Sequence, residues 1–260
     1  MKLDRTIMLA AGCLVCIPLA LPTAQLSAQS REQMKKPLIY QIGQTVHINA
    51  GGLRPLLQAI DALQQKYGWW INYEDPQYPA SASTPPPPGP PHRLHDNLRQ
   101  QGDNGFSVEF EVAARPEAQL VLNTVVDAYN QSGGAGQFEL RKERDGSFVV
   151  TGTGVRGSDG QIANQQPVLD SLINLAPERR SAAATIQLIC NAAGEKSKVQ
   201  ISPIIPPAIG EASEQVNGND FPARTLLGEA LAATTHKLYW QLLYNSDSKS
   251  YELNIEEMKR

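Results

Sequence analysis

The chain has 260 residues, of which 41% are hydrophobic, 19% charged and 6% aromatic. These fractions are typical of a globular protein, and they exclude collagen, a coiled coil and a wholly disordered chain. The formal net charge is −3, so the composition gives no basic surface, and we predict no nucleic-acid partner.

The start of the chain predicts an export signal. A short basic stretch precedes an apolar run between Ile7 and Leu21, which is shorter than the roughly 20 residues that a membrane-spanning helix needs. We predict a signal peptide over residues 1–28 with cleavage after Ala28, while cleavage after Ser30 and retention of the run as an anchor stay open. After cleavage we expect no membrane span and a periplasmic or secreted protein.

Four helices are predicted from prolines near a first turn, where the missing N–H costs no hydrogen bond, and from apolar residues at helical spacing behind three of them. The prolines are Pro55, Pro116, Pro177 and Pro222. A segment with alternating or β-branched residues follows each helix and predicts a strand. These segments are 69–73, 137–144, 199–202 and 238–244.

Two of these strands continue into hairpins. Asp145-Gly146 lies between alternating apolar residues and predicts a two-residue type I′ turn, and residues 245–249 predict the second hairpin. Further short strands are predicted before three of the helices, at 46–48, 106–112 and 172–175.

In chain order these elements predict an α+β fold of two similar βαββαββ modules, each a small sheet with two helices on one face. The first module covers 31–155, with a Pro-rich insertion at 79–91, and the second covers 167–258, with a weaker fourth strand near Val216. We interpret the insertion as a stiff spacer, with a docking site for an aromatic-lined groove as the alternative.

Residues 156–166 are predicted to be a Gly-rich linker. Gly152, Gly154 and Gly157 spell G-x-G-x-x-G, but a polar stretch leads to Pro167 where a nucleotide site needs a helix N-terminus. We therefore predict no nucleotide and no other cofactor.

Three segments of the first module resemble the secretin and TonB short N-terminal (STN) domain. They are Val46-His-Ile-Asn-Ala50, Leu56-Leu-Gln-Ala-Ile-Asp-Ala-Leu63 and Gly68-Trp-Trp-Ile-Asn-Tyr73. Residues 106–150 are similar to the second half of that domain, and the second module resembles it more faintly. The family is a periplasmic adapter fold placed before an outer-membrane channel or receptor, so the resemblance implies protein binding and no catalysis. The Pro-rich insertion departs from the family pattern, and we expect a free-standing tandem because no channel segment follows.

No catalytic or metal-binding residue is predicted. His92, His95 and Asp96 lie close in sequence, but structural zinc needs four ligands and no further Cys or His is near. His47 is expected on the solvent face of its strand, and His236 at the end of a helix. Cys190 shares a helical stripe with two apolar residues, and we interpret it as a buried side chain and not as a nucleophile.

Aromatic residues on the strands that follow two of the helices are the predicted binding residues. They are Trp69, Trp70, Tyr73, Tyr239, Trp240 and Tyr244. An exposed tryptophan beside tyrosines suits a peptide or a sugar ring, and packing beneath the helices is the alternative. We predict an exported adapter of the bacterial cell envelope that binds a protein partner through a sheet edge or this aromatic strand face. An envelope glycan or peptide binder is the alternative, and a hydrolase comes third.

Overall fold

The computed structural model of the chain describes residues 38–79, 105–112, 116–157, 159–210 and 213–258. The predicted signal peptide, most of the Pro-rich insertion, and His92 and His95 lie outside these residues. The helices are α1 Pro55–Tyr67, α2 Ala118–Gln131, α3 Ala182–Ser197, the short α4 Pro207–Gly210 and α5 Ala223–Ala232. The strands are β1 Ile39–Ile42, β2 Thr45–Ala50, β3 Ile71–Glu74, β4 Phe106–Glu111, β5 Gly136–Lys142, β6 Phe148–Arg156, β7 Ile162–Asn164, β8 Leu172–Leu175, β9 Arg180–Ser181, β10 Gln200–Ile204, β11 Ser213–Glu214, β12 Gly218–Pro222, β13 Leu238–Asn245 and β14 Ser250–Glu257. The predicted α+β class is confirmed.

Prolines mark the starts of three of the helices, as predicted. Pro55 is the first residue of α1, Pro222 directly precedes α5, and Pro116 stands just before α2. The predicted start near Pro177 is wrong, because α3 begins at Ala182. The hydroxyl of Ser181 caps this helix by accepting a hydrogen bond from the N–H of Ala184 at 3.2 Å. This bond satisfies a backbone donor of the first turn, whereas a proline has no N–H to satisfy.

The hairpin at Asp145-Gly146 joins β5 to β6 as predicted, but its turn is longer. A type I′ turn needs positive φ at both central residues, and of these two only Gly146 has it, at 86°. The N–H of Gly146 donates to the carbonyl of Glu143 at 3.1 Å, while the Asp145 carboxylate accepts the N–H of Ser147 at 2.9 Å. These two bonds fix a turn that starts at Glu143.

A central sheet of seven strands contains strands from both halves of the chain. Its order is β10-β14-β13-β3-β6-β5, with β7 added beside β6. A small sheet, β1-β2-β4, belongs to the first half, and the second half contributes two further pairs, β8 with β12 and β9 with β11. The prediction of one small sheet for each module is therefore wrong in its layout, because the strands of the first half divide between two sheets and those of the second half among three.

Each half buries its helices between two layers of strands. In the first half α1 contacts β2 and β3 and α2 contacts β4 and β5, while in the second half α3 contacts β8 and β10. The helices do not lie on a single sheet because their apolar surface is wide: α1 buries seven of its thirteen residues. An apolar arc of that width needs a sheet on each side.

The two helix layers lie on opposite faces of the central sheet. On β3, the Tyr73 side chain packs in the first core with α1 and α2, while Glu74 points to the other face and contacts Arg224 of α5. On β13, Gln241 points back to the first layer and donates to Asp61 of α1. The middle strands of the sheet are therefore covered on both faces, and β3 is buried along its whole length.

The segment 156–166, predicted as a linker, contains a strand. Its strand β7 pairs antiparallel with β6, and the Gln165 side chain bonds both backbone groups of Gln77, at 2.8 and 3.0 Å. The described residues from 38 to 258 belong to one compact unit. The module boundaries stay a prediction, and the two halves share one sheet across them.

Candidate functional site

The predicted binding aromatics lie together where β3 meets β13. These strands are parallel neighbours, with Tyr73 opposite Gln241 and Glu74 opposite Leu242. Three of the six aromatics are core residues: Tyr73, Trp240 and Tyr244 are 1%, 3% and 7% exposed. Tyr73 lies in the core of the first half, and Trp240 and Tyr244 lie in the core of the second, on the opposite face of the sheet. Because both faces are covered, these three side chains cannot contact a ligand.

The other three aromatics are half-buried and already engaged. Trp69 stacks on Tyr67 with ring centroids 4.6 Å apart. Trp70 donates its indole N–H to the carbonyl of Leu238 at 2.6 Å, and its ring lies under the Lys237 ammonium at 5.2 Å. Tyr239 donates its hydroxyl hydrogen to Glu256 at 2.5 Å. Trp70 therefore contacts the other half, whereas Trp69 and Tyr239 are engaged within their own halves, and the three form no open binding face.

A buried carboxylate, Asp75, organises one side of the junction. Arg54 donates to Asp75 at 2.7 Å and also to the carbonyl of Tyr244 at 2.7 Å. The Tyr73 hydroxyl and the backbone N–H of Tyr244 donate to the same carboxylate at 2.8 and 3.0 Å. The N–H of Asp75 itself donates to the carbonyl of Leu242 at 2.9 Å. Asp75 therefore connects the start of α1 with β13.

A second buried carboxylate, Glu74, organises the other face. Arg224 donates to Glu74 at 2.6 Å, to the Thr151 hydroxyl at 3.0 Å, and lies 3.0 Å from Asp170. The backbone N–H of Leu169 donates to Glu74 at 3.1 Å. Because an unpaired charge in such a place is costly, these bonds make the position of α5 on the sheet specific.

Burial raises the pKa of both carboxyl groups. For Glu74 the attraction of Arg224 opposes this rise, and for Asp75 the attraction of Arg54 does so. The sequence reasoning missed both residues. The sequence did contain a signal for them, because two acidic residues come at the end of a run of strand-forming residues. An acidic side chain at that place needs either an exposed sheet edge or a cation beside it.

A third carboxylate, Asp61 on α1, lies at the rim of the junction. Burial raises the pKa of Asp61 to about 6, against the hydrogen bond from Gln241, and the nearby charge of Glu256 raises it further. A groove of about 540 Å³ lies beside it, between the start of β1 and α1, and is lined partly by Ile39, Asp61 and Lys66.

The two edge strands of the central sheet, β10 and β5, each offer fewer free backbone hydrogen-bonding groups than an open edge strand would. On the terminal strand β10, Pro203 has no N–H, and a proline within a sheet sits where that missing donor faces away from the neighbouring strand. On β5, the side-chain amide of Asn130 accepts the N–H of Phe138 at 3.0 Å and donates to its carbonyl at 2.8 Å. The proline and the amide therefore oppose the addition of another strand at these two edges.

The small sheet ends on β4, which is regular. All six residues of β4 pair in register with β2, from Thr45 opposite Glu111 to Ala50 opposite Phe106. By contrast, β12 carries Pro222, a register shift, and Asp220 at a φ of 56°. Among the described strands with a free side, β4 is therefore a long and uninterrupted edge.

The histidines of the described residues pair with carboxylates. His47 lies 2.9 Å from Glu109 and stacks on Tyr40, while His236 lies 3.1 Å from Glu257. His236 follows the end of α5 in the turn before β13, and not in the helix itself. Within the described ranges, no group of three or more His, Cys, Asp or Glu side chains is arranged to hold a metal ion.

The prediction that Cys190 is a core residue is confirmed. It is fully buried on α3 with Ile186 and Ala193. Burial raises the pKa of its thiol to about 12, so the nucleophilic thiolate is scarce at neutral pH.

In the described part of the chain, no helix is both long and apolar enough to cross a membrane. Comparison of the chain with protein-family models, with curated proteins and with solved structures gave no match in any of the three.

Proposed function

We propose that this chain is an exported, non-catalytic adapter of the bacterial cell envelope, built from two copies of an STN-like module, which binds a protein partner through a strand edge. One observation carries the proposal: the same strand pairings occur in both halves. Strand β2 pairs antiparallel with β4 as β8 does with β12, and β3 pairs parallel with β6 as β10 does with β14. The antiparallel hairpin β5–β6 likewise corresponds to β13–β14.

These pairings support a duplication more strongly than the order of elements does. A parallel pair between the strand after the first helix and the last strand needs a long crossover connection, and it occurs twice with the same partners. The resemblance to the STN family rests on the first half, and the matching pairings extend the argument to the second. Periplasmic or secreted localisation follows from the predicted signal over residues 1–28.

The reactive groups in the described part of the chain favour a non-catalytic role. Cys190 is buried with a raised pKa, and His47 and His236 each pair with a glutamate near the surface. An adapter needs only a surface, and the strand edges provide one. The glycan alternative receives less support, because it depends on exposed aromatics and three of the six are core residues.

Cell fractionation tests the proposed export. In the cell that makes the protein, we expect a periplasmic or secreted form whose N-terminus is Gln29 or Arg31. Leu14→Arg interrupts the apolar run and should leave the precursor inside the cell, while Gln44→Arg, at an exposed turn of the folded part, should not. An exported form that keeps its first residues would establish the anchor alternative.

Cross-linking in intact cells tests the adapter role. A short amine-reactive cross-linker should join the exported protein to a specific envelope protein, and the product should disappear with Leu14→Arg. Purified peptidoglycan is the competing ligand: saturable binding to it by the mature chain, with no cross-linked protein, would replace the adapter with the glycan binder.

A further inference from the structure

The outer side of β4 carries backbone groups that no described strand pairs. The N–H of Val112 donates to the carbonyl of Gln44 at 2.8 Å, so Val112 faces β2. Backbone direction alternates along a strand, so Ser107, Glu109 and Glu111 face away from β2. Each of these three residues presents an N–H and a C=O to an added strand, and their side chains are exposed.

The exposed face beside this edge is acidic. The strands β1, β2 and β4 contain no lysine or arginine, and their charged side chains are Glu109 and Glu111, with His47 as the one titratable base. His47, the cross-strand neighbour of Glu109 on β2, contacts it at 2.9 Å and stacks on Tyr40 with ring centroids 4.7 Å apart, and this contact holds the carboxylate on the exposed face of the small sheet. Opposite charges on neighbouring strands attract, so this face selects basic side chains in a strand that pairs with β4.

The other face of β4 is apolar. Phe106 and Val108 are buried beneath the helices, and Phe110 is half-buried at the end of the strand. A residue of an added strand that lies next to Phe110 would cover more of its ring. The chemistry of β4 therefore alternates along its length, acidic on one face and apolar on the other.

Two other described edges fit such a partner less well. Pro203 and Asn130 reduce the free hydrogen-bonding groups of β10 and β5. The groove between β1 and α1 is lined by both Asp61 and Lys66, so it selects neither sign of charge. The β4 edge combines unpaired backbone groups with a single sign of charge.

We propose that β4 pairs with an extended segment of the partner protein in which lysine or arginine alternates with apolar residues. This inference rests on the proposed adapter function and names the edge and the chemistry of the partner. The segment adds to the small sheet by β-augmentation: its backbone bonds Ser107, Glu109 and Glu111, its basic side chains lie beside the two glutamates, and its apolar side chains cover Phe110.

Binding of synthetic peptides to the mature chain tests the chemistry. The probe is a labelled acetyl-(Lys-Val)₃-amide, and the two controls are (Glu-Val)₃ and a (Lys-Val)₃ peptide N-methylated at alternate residues, which keeps the charge but loses backbone donors. We expect saturable binding of the first peptide, no binding of the acidic one, and at least about tenfold weaker binding of the methylated one. Hydrogen exchange should slow at Ser107, Glu109 and Glu111. Equal binding of the methylated peptide, or protection on other strands only, would overturn the proposal.

Variants of the chain locate the site. Glu109→Lys with Glu111→Lys should weaken binding about tenfold, since two attractive cross-strand pairs become repulsive. The matched control is Glu252→Lys, because Glu252 is an exposed strand glutamate on β14, whose two sides are both paired. An equal loss with Glu252→Lys would show unspecific charge attraction. Ser107→Pro removes an outward N–H, and Ser107→Ala controls for the loss of its 2.8 Å hydroxyl bond to Asn49.

Site-specific photo-cross-linking in the producing cell separates this inference from the adapter function. A benzophenone side chain is placed in turn at Glu111, at Gln41 on β1, at Lys142 on β5 and at Glu252. Cross-linking from Glu111 to a partner segment with alternating basic and apolar residues supports the proposal. Cross-linking to a partner from Gln41 or Lys142 alone overturns the β4 assignment and leaves the adapter function standing. No protein product from any of the four positions contradicts both.

Discussion

Replacing Arg224 with methionine is expected to destabilise the protein by about 3–5 kcal/mol, the usual cost of leaving a buried charge without its partner. Methionine keeps most of the volume of the arginine stem, so the loss is electrostatic and not a cavity. Of the two acids that Arg224 contacts, Asp170 keeps Arg141 at 2.6 Å. Glu74 is 0% exposed and is left with backbone N–H donors such as that of Leu169, with no cation of the described residues beside it. The penalty therefore falls on Glu74.

The penalty should depend on pH. Burial raises the pKa of Glu74, and removing Arg224 takes away the attraction that opposes this rise. A carboxyl whose folded pKa lies above its unfolded value contributes stability that is complete below the unfolded pKa and is lost as the pH rises through the folded pKa. The difference in the free energy of unfolding between variant and wild type should therefore be smallest near pH 4 and grow towards pH 8.

Urea unfolding of the mature chain, followed by tryptophan fluorescence, measures these differences at each pH. In a domain of this size, the expected loss corresponds to a fall in Tm of about 6–20 °C. The double variant Glu74→Gln with Arg224→Met removes the stranded charge and should recover about 2 kcal/mol. Arg144→Met, in the exposed turn after β5, is the control and should change stability by less than about 0.5 kcal/mol. A loss for Arg224→Met that is independent of pH, with no recovery in the double variant, would refute the assignment of the penalty to Glu74.

Three further predictions follow from the same structure. Cys190 should react with a thiol reagent slowly in the native protein and rapidly in urea, because its thiol is buried with a pKa near 12, and fast native labelling would contradict the core assignment. Burial raises the pKa of Asp61 from 3.8 to about 6, so it contributes stability that is complete below pH 4 and lost as the pH rises through 6. Asp61→Asn keeps an oxygen for Gln241 and should remove this fall in urea unfolding, whereas Asp127→Asn, exposed on α2, should leave it unchanged. Because the halves share one sheet, fluorescence and far-ultraviolet circular dichroism should report a single unfolding transition and limited proteolysis should not cut preferentially at 156–166; two transitions would show that the halves fold independently.

The helices and strands were predictable from the sequence because the residues that specify each of them lie within or beside that element. Proline at position 55 sets the start of α1, and the apolar spacing behind it sets the buried face. The strands after the helices were found for the same reason, within one or two residues of their bounds. The start of α3 was missed because the cap from Ser181 prevailed over the proline, and both signals lie within a few residues of each other.

The joining of β3 to β13 could not be predicted in this way. The two strands are far apart in sequence, and their pairing depends on the shapes of two complete halves. The misreading of Tyr73, Trp240 and Tyr244 has the same origin, because alternation predicts one covered face for a strand and these strands are covered on both. The pair Glu74 and Asp75 carried the missing information, since two adjacent acids after an apolar strand imply cations from elsewhere in the fold.

The junction of β3 with β13 joins unlike edges, since the strand after the first helix of one half meets the strand after the second helix of the other. A head-to-tail joint of this kind does not close on itself, so identical copies that used it would add without limit into a filament. The same two kinds of edge recur at the ends of the central sheet, on β10 and on β5. Pro203 and the amide of Asn130 therefore oppose this strand pairing between two copies of the chain, while the same pairing between β3 and β13 forms once within each chain.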